Sequence, residues 1–269
     1  MRYLSLFSGI GGFELGMYRS GIRCEEHYFS EIDEYAINVY RRHFPEAIAL
    51  GDVRGIEYGK LPGGEWLATG GFPCQPHSVR GKRKGAGDQR NLWPECARML
   101  RQLRPACAVF ENVTGLFVSD GGEFFNRVLS DISEGGYSAE WQVISAQDAG
   151  APHRRERVWV AAYPSGEQRE ILLRDKISPY RKNGTEKYSD WQDVQFKATG
   201  AYSIQLQKGD VGFVCRMDDG IPPELDKSRI CVLGNSIVPQ CAERIFRLPA
   251  FDRWRERGSL KSAECEELC

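Results

Sequence analysis

The chain has 269 residues, 41% of them hydrophobic, and a formal net charge of −1, which allows one large domain with a smaller appendage and excludes general disorder. Because the N-terminal apolar run is too short for a signal peptide and no later run could span a bilayer, we expect a cytoplasmic protein without a membrane segment. Nine cysteines without a C-x-x-C pair favour reduced thiols over a disulfide framework and argue against a zinc site. The near-zero charge gives no global indication of a nucleic-acid partner.

Strand-like and helix-like segments alternate over about the first 160 residues. The strand-like runs are 2–7, 25–31, 47–52, 66–71, 106–112, 139–147 and 157–163. The helical patterns are 12–21, 32–44, 91–103 and about 122–134. This alternation predicts an α/β fold with a Rossmann-like, mostly parallel sheet and helices on both faces. In such sheets ligands bind at the carboxyl ends of the strands.

The pattern changes after residue 163. A polar stretch from Ser165 to Lys208 has no clear strands, and a tight turn and an amphipathic helix follow within 231–248. We therefore expect a main domain formed by 1–163 and 230–250, a small irregular module over 164–229, and a charged tail over 251–269.

Glycines follow the first predicted strand in LFSGIGGFELG (6–16), at Gly9, Gly11 and Gly12. Such a loop lets a ligand approach the N-terminus of the next helix. Glu31 ends the second strand, where an acid can accept hydrogen bonds from ribose hydroxyls. Asp52 ends the third and can accept from an amino group such as that of adenine. These features predict a nucleoside site, although a turn that merely needs glycine is the alternative.

The dinucleotide fingerprint G-x-G-x-x-G is not met, because its third glycine would fall at Glu14. This disfavours a nicotinamide-dependent dehydrogenase without excluding it.

The segment GGFPCQPHS (70–78) places Cys74 among glycines and prolines, which disfavour both helix and strand. A buried structural cysteine has no need of so constrained a loop, so we expect a reactive thiol. VRGKRKGAGDQR (79–90) follows directly, with five basic residues against one aspartate. By itself this run would be interpreted as a solvated surface loop.

Five motifs then occur in one order: LFSGIGGFELG, GGFPCQPHS, FENV (110–113), APHRRER (151–157) and LGNSIVPQ (233–240). With them the sequence resembles the cytosine-C5 DNA methyltransferase family over residues 1–163 and 231–248. The resemblance implies S-adenosylmethionine as cofactor, a catalytic domain with a small target-recognition domain over 164–229, and a cytosine flipped out of duplex DNA. It allows a cognate restriction nuclease as a further partner. The compact plan suggests a bacterial or phage modification enzyme, which we expect to be a monomer.

The resemblance also implies catalytic roles. The thiolate of Cys74 would add to C6 of the base, so that C5 can attack a sulfonium methyl group. Glu111 would support N3 of the ring in its protonated form. Arg155 and Arg157, two residues apart, would share a face in an extended segment, with Arg155 contacting the base. His153 stands where the family usually carries glutamine. The alternatives are an inert thiol, a surface acid and arginines in ordinary ion pairs.

Further residues are carried over from the family's motifs. Beside the glycines and the two acids, the implied cofactor contacts are Phe7, Ser8, Val53, Phe72, Leu92, Asn235 and Ser236. The basic loop would close over DNA and neutralise phosphates. The expected DNA contacts are Ser78, Arg80, Lys82, Arg83 and Lys84. A tRNA cytosine methyltransferase of the same superfamily, or a DNA-binding relative without turnover, would share most of these motifs. No metal ligands are expected.

Overall fold

A computed structural model describes residues 1–73, 91–151, 153–166, 233 and 235–256. The strands are β1 (Arg2–Leu6), β2 (Glu26–Ser30), β3 (Ile48–Ala49), β4 (Trp66–Gly70), β5 (Cys107–Val113), β6 (Tyr137–Ser145) and β7 (Glu156–Pro164). The α-helices are α1 (Gly12–Arg19), α2 (Glu34–His43), α3 (Trp93–Leu103), α4 (Glu123–Glu134) and α5 (Pro239–Phe246). Within the described ranges, every helix is too short or too polar to cross a membrane.

The strands form one sheet in the order β3-β2-β1-β4-β5-β7-β6. All neighbouring pairs from β3 to β5 are parallel, whereas β7 runs antiparallel to both β5 and β6. The mostly parallel Rossmann-like sheet predicted from the sequence is confirmed. Strand order reverses between β1 and β4, which creates the crevice where α/β proteins bind ligands.

Alternate residues of each strand face opposite layers of helices. On one face, α3 and α4 cover a core that contains Leu4, Ala68, Phe110 and Val160. On the other, α1 and α5 cover Tyr3, Leu67, Val109 and Trp159. Helices on both faces were predicted, because buried parallel strands must be covered on both sides.

Local sequence explains where two of the helices begin. The side chain of Asp33 caps α2 by accepting a hydrogen bond from the backbone N–H of Ala36, at 2.9 Å. Pro94 lies in the first turn of α3, where its missing N–H costs no hydrogen bond. Trp93 in the same turn donates its indole N–H to Asp131 of α4 at 2.7 Å, which ties the two helices together.

Two glycines allow α1 to pack directly on the C-terminal segment. A Cβ at Gly16 would lie 2.5 Å from the carbonyl oxygen of Pro239 and 2.6 Å from Cβ of Ala242. A Cβ at Gly12 would collide with the backbone of Ile237. The chain returns through α5 only because these positions lack side chains.

The folded domain extends to residue 256, beyond the predicted start of the charged tail at 251. Phe251 and Trp254 are buried in the core beneath α5. Beyond residue 166, the predicted module 164–229 lies outside the described residues, as does the tail from 257.

Candidate active site

The loop after β1 is fastened to the end of β2. The backbone N–H of Gly9 donates to Oε2 of Glu31 at 2.8 Å, and the N–H of Ser8 donates to the carbonyl of Ser30 at 3.1 Å. Gly9 and Gly11 have φ values of 55° and 91°, which side chains rarely tolerate. Phe7 also has a positive φ, 54°, so the chain turns sharply as it leaves the strand.

Glu31 organises the end of β2 through both carboxylate oxygens. Its Oε1 accepts from the backbone N–H groups of Ile32 and Asp33 at 2.8 and 3.0 Å. Ile32 is 65% exposed, which is unusual for so large an apolar side chain beside an acid at a strand end. We did not single out Ile32 from the sequence, although its position between two acids was a usable signal.

Asp52 lies just beyond β3, the neighbour of β2. It begins the short 3-10 turn Val53–Gly55, and Arg54 binds its carboxylate, with Nη2 2.6 Å from Oδ2. The hydrogen bonds from Arg54 lower the pKa of Asp52. Val53 is buried in the core, whereas Asp52 remains partly exposed. The two predicted acids thus lie at the carboxyl ends of adjacent strands.

Residues 71–73 lead from β4 into the segment that carries Cys74. Phe72 is buried against Trp93 and Phe110, with ring centroids 5.1 and 6.4 Å away. The side-chain amide of Asn112 donates to the carbonyl of Phe72 at 3.0 Å. Leu92, on the far side of that segment, is partly buried against the same core. Asn112 fixes the start of the segment, a role that the sequence did not reveal.

Residues 71–73 form the stem of the cysteine segment, and their first member, Gly71, lies beside the predicted acid Glu111. A Cβ there would lie 3.7 Å from Oε2 of Glu111 and 3.3 Å from Cδ1 of Ile237. The stem, the acid and the segment returning to α5 therefore meet at one point.

Cys74 lies outside the described residues, and so do Ser78, Arg80, Lys82, Arg83 and Lys84. Their roles stay predictions from the sequence.

Glu111 is buried near the end of β5, with an ion pair to β7. Its Oε1 lies 3.1 Å from Nε of Arg157, which pairs across the ladder with Val113, two residues further along. Burial raises the pKa of Glu111 to about 7, although the charges of Arg157 and Arg155 act in the opposite direction. The acid is thus partly protonated near neutral pH.

Arg155 contacts a different group from Arg157. Its Nη2 donates to the carbonyl of Ser236 at 2.7 Å, and its buried Nε has no hydrogen-bond partner in the described part of the chain. Both arginines lie near Glu111, as their electrostatic effect on its pKa shows. Half-buried His153 has a pKa lowered by burial and by Arg155. The predicted arginine pair is therefore brought to the acid, with one member held by the segment leading to α5.

Asn235 and Ser236 lie in the segment that leads to α5, which Arg155 contacts. The hydroxyl of Ser236 donates to the carbonyl of Leu233 at 2.9 Å, and Asn235 is exposed. Across the described ranges, histidine, cysteine and acidic side chains form no group of three or more that could hold a metal ion.

Comparison with known sequences identifies relatives of the chain. A sequence model of the family described as C-5 cytosine-specific DNA methylase matches residues 1–208. The type II methyltransferase M.BsuFI of Bacillus subtilis is 33% identical over 229 residues, which are 84% of this chain and 53% of that protein. M.NgoBI of Neisseria gonorrhoeae, also a type II methyltransferase, is 35% identical over 182 residues, covering 67% and 56%. The chain spans about half the length of the curated relatives it matches.

The fold also has a counterpart among solved structures. A crystal structure described as a DNA modification methyltransferase encoded within an E. coli prophage superposes with a TM-score of 0.51 and 28% identity. The match covers 61% of this chain and 47% of that one.

Proposed function

Because this chain belongs to the C-5 cytosine-specific DNA methylase family, we propose that it methylates C5 of a flipped cytosine in duplex DNA through a thiol adduct. The observation that supports this function best is the position of Glu111. Its buried carboxyl, with a pKa raised to about 7 by burial, lies beside Gly71, three residues before Cys74. A protonated acid beside the stem of the cysteine segment suits the chemistry that C5 methylation requires.

The methyl donor we propose is S-adenosylmethionine. Residues at the carboxyl ends of β1, β2 and β3 fit an adenosyl group by their chemistry. Among the described residues, Oε2 of Glu31 accepts only from Gly9 and can take a further hydroxyl group, and the partly exposed carboxylate of Asp52 can accept an amino group once exposed Arg54 releases it. Exposed Ile32 offers an apolar surface. A Cβ at Gly9 would meet nothing within 4 Å, so the loop leaves space beside it. When bound, this cofactor supplies an electrophilic methyl group. The remaining proposed contacts are Phe7, Ser8, Gly11, Gly12, Val53, Phe72, Leu92, Asn235 and Ser236.

We assign the nucleophile to Cys74. C5 of cytosine is a poor nucleophile, and a thiolate that bonds to C6 moves electron density onto C5. After C5 has been methylated, its proton passes to water and the bond between sulfur and C6 breaks, while N3 returns its proton to the carboxylate of Glu111. These steps restore the aromatic ring, the thiolate and the protonated acid. Asn112 anchors the carbonyl of Phe72, and Pro73 restricts the backbone after it. We expect both constraints to reduce the conformational freedom of Cys74.

Glu111 and the arginines complete the proposed reaction. The protonated carboxyl donates to N3 of the ring as the thiolate adds at C6, which neutralises the charge that develops there. Arg157 orients that carboxyl from 3.1 Å. Arg155, with its unpartnered Nε, supplies a donor for O2 of the base.

Binding of DNA is assigned to residues outside the described ranges. Lys82, Arg83 and their basic neighbours would neutralise phosphates, while the module over 164–229 would read the bases. A cognate restriction nuclease would be a further partner if the chain belongs to a restriction–modification pair, as the names of M.BsuFI and M.NgoBI allow.

The test is transfer of a tritiated methyl group from S-adenosylmethionine to duplex DNA, with tRNA as the parallel substrate. We expect labelled duplex, unlabelled tRNA and a covalent complex with a duplex that contains 5-fluorocytosine. Cys74→Ser should abolish both labelling and complex formation, whereas Cys24→Ser, at a partly buried thiol in a different part of the fold, should leave them intact. Labelling of tRNA alone would reassign the substrate, and undiminished transfer by Cys74→Ser would overturn the mechanism.

A further inference from the structure

We infer that Arg98 of α3 is a positioning residue for the cofactor, because it fixes the backbone turn that begins at Asp52. The inference rests on the proposed function, since it concerns the part of the site assigned to the adenosyl group. Its guanidinium donates from Nη2 to the carbonyl of Val53 at 2.8 Å and from Nη1 to the carbonyl of Ile56 at 2.7 Å. One planar side chain therefore holds both ends of the turn.

The guanidinium is itself held in place. Glu95, one turn earlier on α3, accepts from Nε of Arg98 at 2.7 Å. The guanidinium carbon lies 4.8 Å from the centroid of the Tyr58 ring. Because the side chains of Arg98 and Glu95 are only 25% and 22% exposed, solvent screens this ion pair less than it screens a surface pair.

The side chains of Val53 and Ile56 are buried in the core, but the backbone of the turn at Asp52 has few hydrogen bonds to the rest of the fold. Strand β3 is two residues long and ends at Ala49. Hydrogen bonds from Leu50 to Phe29 and from Ser30 to Gly51 then hold the chain to β2. Beyond Gly51, the backbone depends on its own turn bonds, one of which, from the N–H of Ile56 to Val53, is long at 3.4 Å. Arg98 supplies the rigidity that the sheet does not provide at this point.

Loss of Arg98 should therefore raise the Kd for the cofactor while changing kcat little. A group that sets the position of a ligand contact changes the affinity for that ligand, while the catalytic groups at β5 and β7 keep their places. A side chain that only stabilised the fold would lower the melting temperature without changing the KM for one substrate selectively.

The chain offers a matched control in Arg104. It follows α3 directly, donates from Nη1 to the carbonyl of Gly135 at 2.9 Å, and lies 5.7 Å over the ring of Tyr137. The same type of contact thus occurs at the opposite end of β5, away from the proposed site.

The experiment compares wild type with Arg98→Met, Arg98→Lys and Arg104→Met in the 269-residue chain. Calorimetric titration with S-adenosylmethionine and steady-state methylation of duplex DNA are measured below all melting temperatures. For Arg98→Met we expect Kd and KM for S-adenosylmethionine to rise about tenfold, with kcat and KM for DNA within about twofold. Arg98→Lys should give a smaller rise, and Arg104→Met should match wild type.

If Arg98→Met does not fold, Arg98→Lys decides the matter, together with hydrogen exchange at the Gly55 amide, which should become faster. Equal Kd values for wild type and the folded Arg98 variants would overturn the inference while leaving the proposed function intact. A rise of the same size in Arg104→Met would also overturn it. If wild type itself bound no S-adenosylmethionine, the proposed function would fail, and the inference with it.

Discussion

Nε of Arg157 lies 3.1 Å from Oε1 of Glu111, yet burial still raises the pKa of that acid to about 7. Desolvation of the carboxylate thus outweighs two neighbouring positive charges. The ion pair is consequently poised: near neutral pH the acid can either accept from Arg157 or carry a proton. Glu111 can therefore supply a proton near neutral pH without the help of a second acidic group.

The pH dependence of methyl transfer should report this acid. In the proposed mechanism the protonated form of Glu111 is the active one, so the single-turnover rate should fall as pH rises through about 7 in the free enzyme. Glu111→Gln cannot transfer a proton and should be slower by about 10²-fold or more at pH 6.5. Rates measured between pH 5.5 and 9 check both expectations.

The control for this profile is the proposed nucleophile Cys74, whose ionisation should increase the rate with pH in both proteins. The decline on the alkaline side should therefore disappear in Glu111→Gln while the rise on the acid side remains. An unchanged alkaline decline in the variant would show that another group is responsible.

A second buried acid, Glu14, should limit stability at neutral and alkaline pH. Its Oε1 accepts from Tyr40 Oη at 2.9 Å and from Tyr3 Oη at 3.4 Å, while its other oxygen lies buried near Ser5. Burial raises the pKa of Glu14 above its usual 4.5. The folded protein therefore binds this proton more tightly than the unfolded chain does, and its stabilising effect is lost as pH rises through the folded pKa.

Glu14→Gln should remove that pH-dependent loss, because glutamine keeps an acceptor for the tyrosines and carries no charge. We expect its free energy of unfolding at pH 8 to exceed that of wild type, and the difference to shrink as pH falls through the folded pKa of Glu14. Urea unfolding at several pH values measures it. His27 lies 2.6 Å from Tyr40 Oη, and burial lowers its pKa to about 4, so the comparison is made at pH 5 and above, where this imidazole is largely neutral in the folded protein. A variant less stable than wild type at pH 8 would contradict this assignment.

Close packing of α1 on α5 should make Gly16 intolerant of a side chain. The new Cβ of Gly16→Ala would lie 2.5 Å from a backbone carbonyl of Pro239, which cannot move without displacing α5. We expect a loss of about 1–3 kcal/mol in the free energy of unfolding. Gly59→Ala is the control, because no atom lies within 4 Å of its Cβ. Equal stability of the two variants would show that the helices separate easily.

The hydrogen bond from Asn112 to Phe72 should matter for formation of the covalent complex. Asn112→Asp keeps the acceptor for Val113 but replaces the donor to Phe72 with an oxygen, which leaves that carbonyl facing another acceptor. The rate of complex formation with a 5-fluorocytosine duplex should fall about tenfold or more. Exposed Asn38→Asp is the matched control and should form the complex at the wild-type rate. Equal rates for the two variants would contradict an anchoring role.

Much of the site could be placed from the sequence because its residues follow strands. Gly9, Glu31 and Asp52 each lie within three residues of the end of a strand, and parallel strands bring their carboxyl ends to one edge. The two arginines of APHRRER could be paired by their spacing, but not divided between partners. That Arg157 takes Glu111 while Arg155 takes the carbonyl of Ser236 depends on a residue 81 positions away along the chain.

The direction of β7, the antiparallel member of the sheet, was likewise not predicted, since a strand pattern has no direction. The extent of the C-terminal part was underestimated for a related reason. Phe251 and Trp254 are scattered apolar residues in a charged sequence, and only packing beneath α5 shows them to be core.

Hydrophobic periodicity and the order of the five motifs determined the fold class and the family, because both are carried by residues that are neighbours in the sequence. Only tertiary structure decided which groups are deprived of water and which backbone carbonyls need a donor. The raised pKa of Glu111, the clamp formed by Arg98 and the anchor at Asn112 all come from such contacts between distant segments. Desolvation and hydrogen-bond geometry are properties of the packed chain, so no local pattern encodes them.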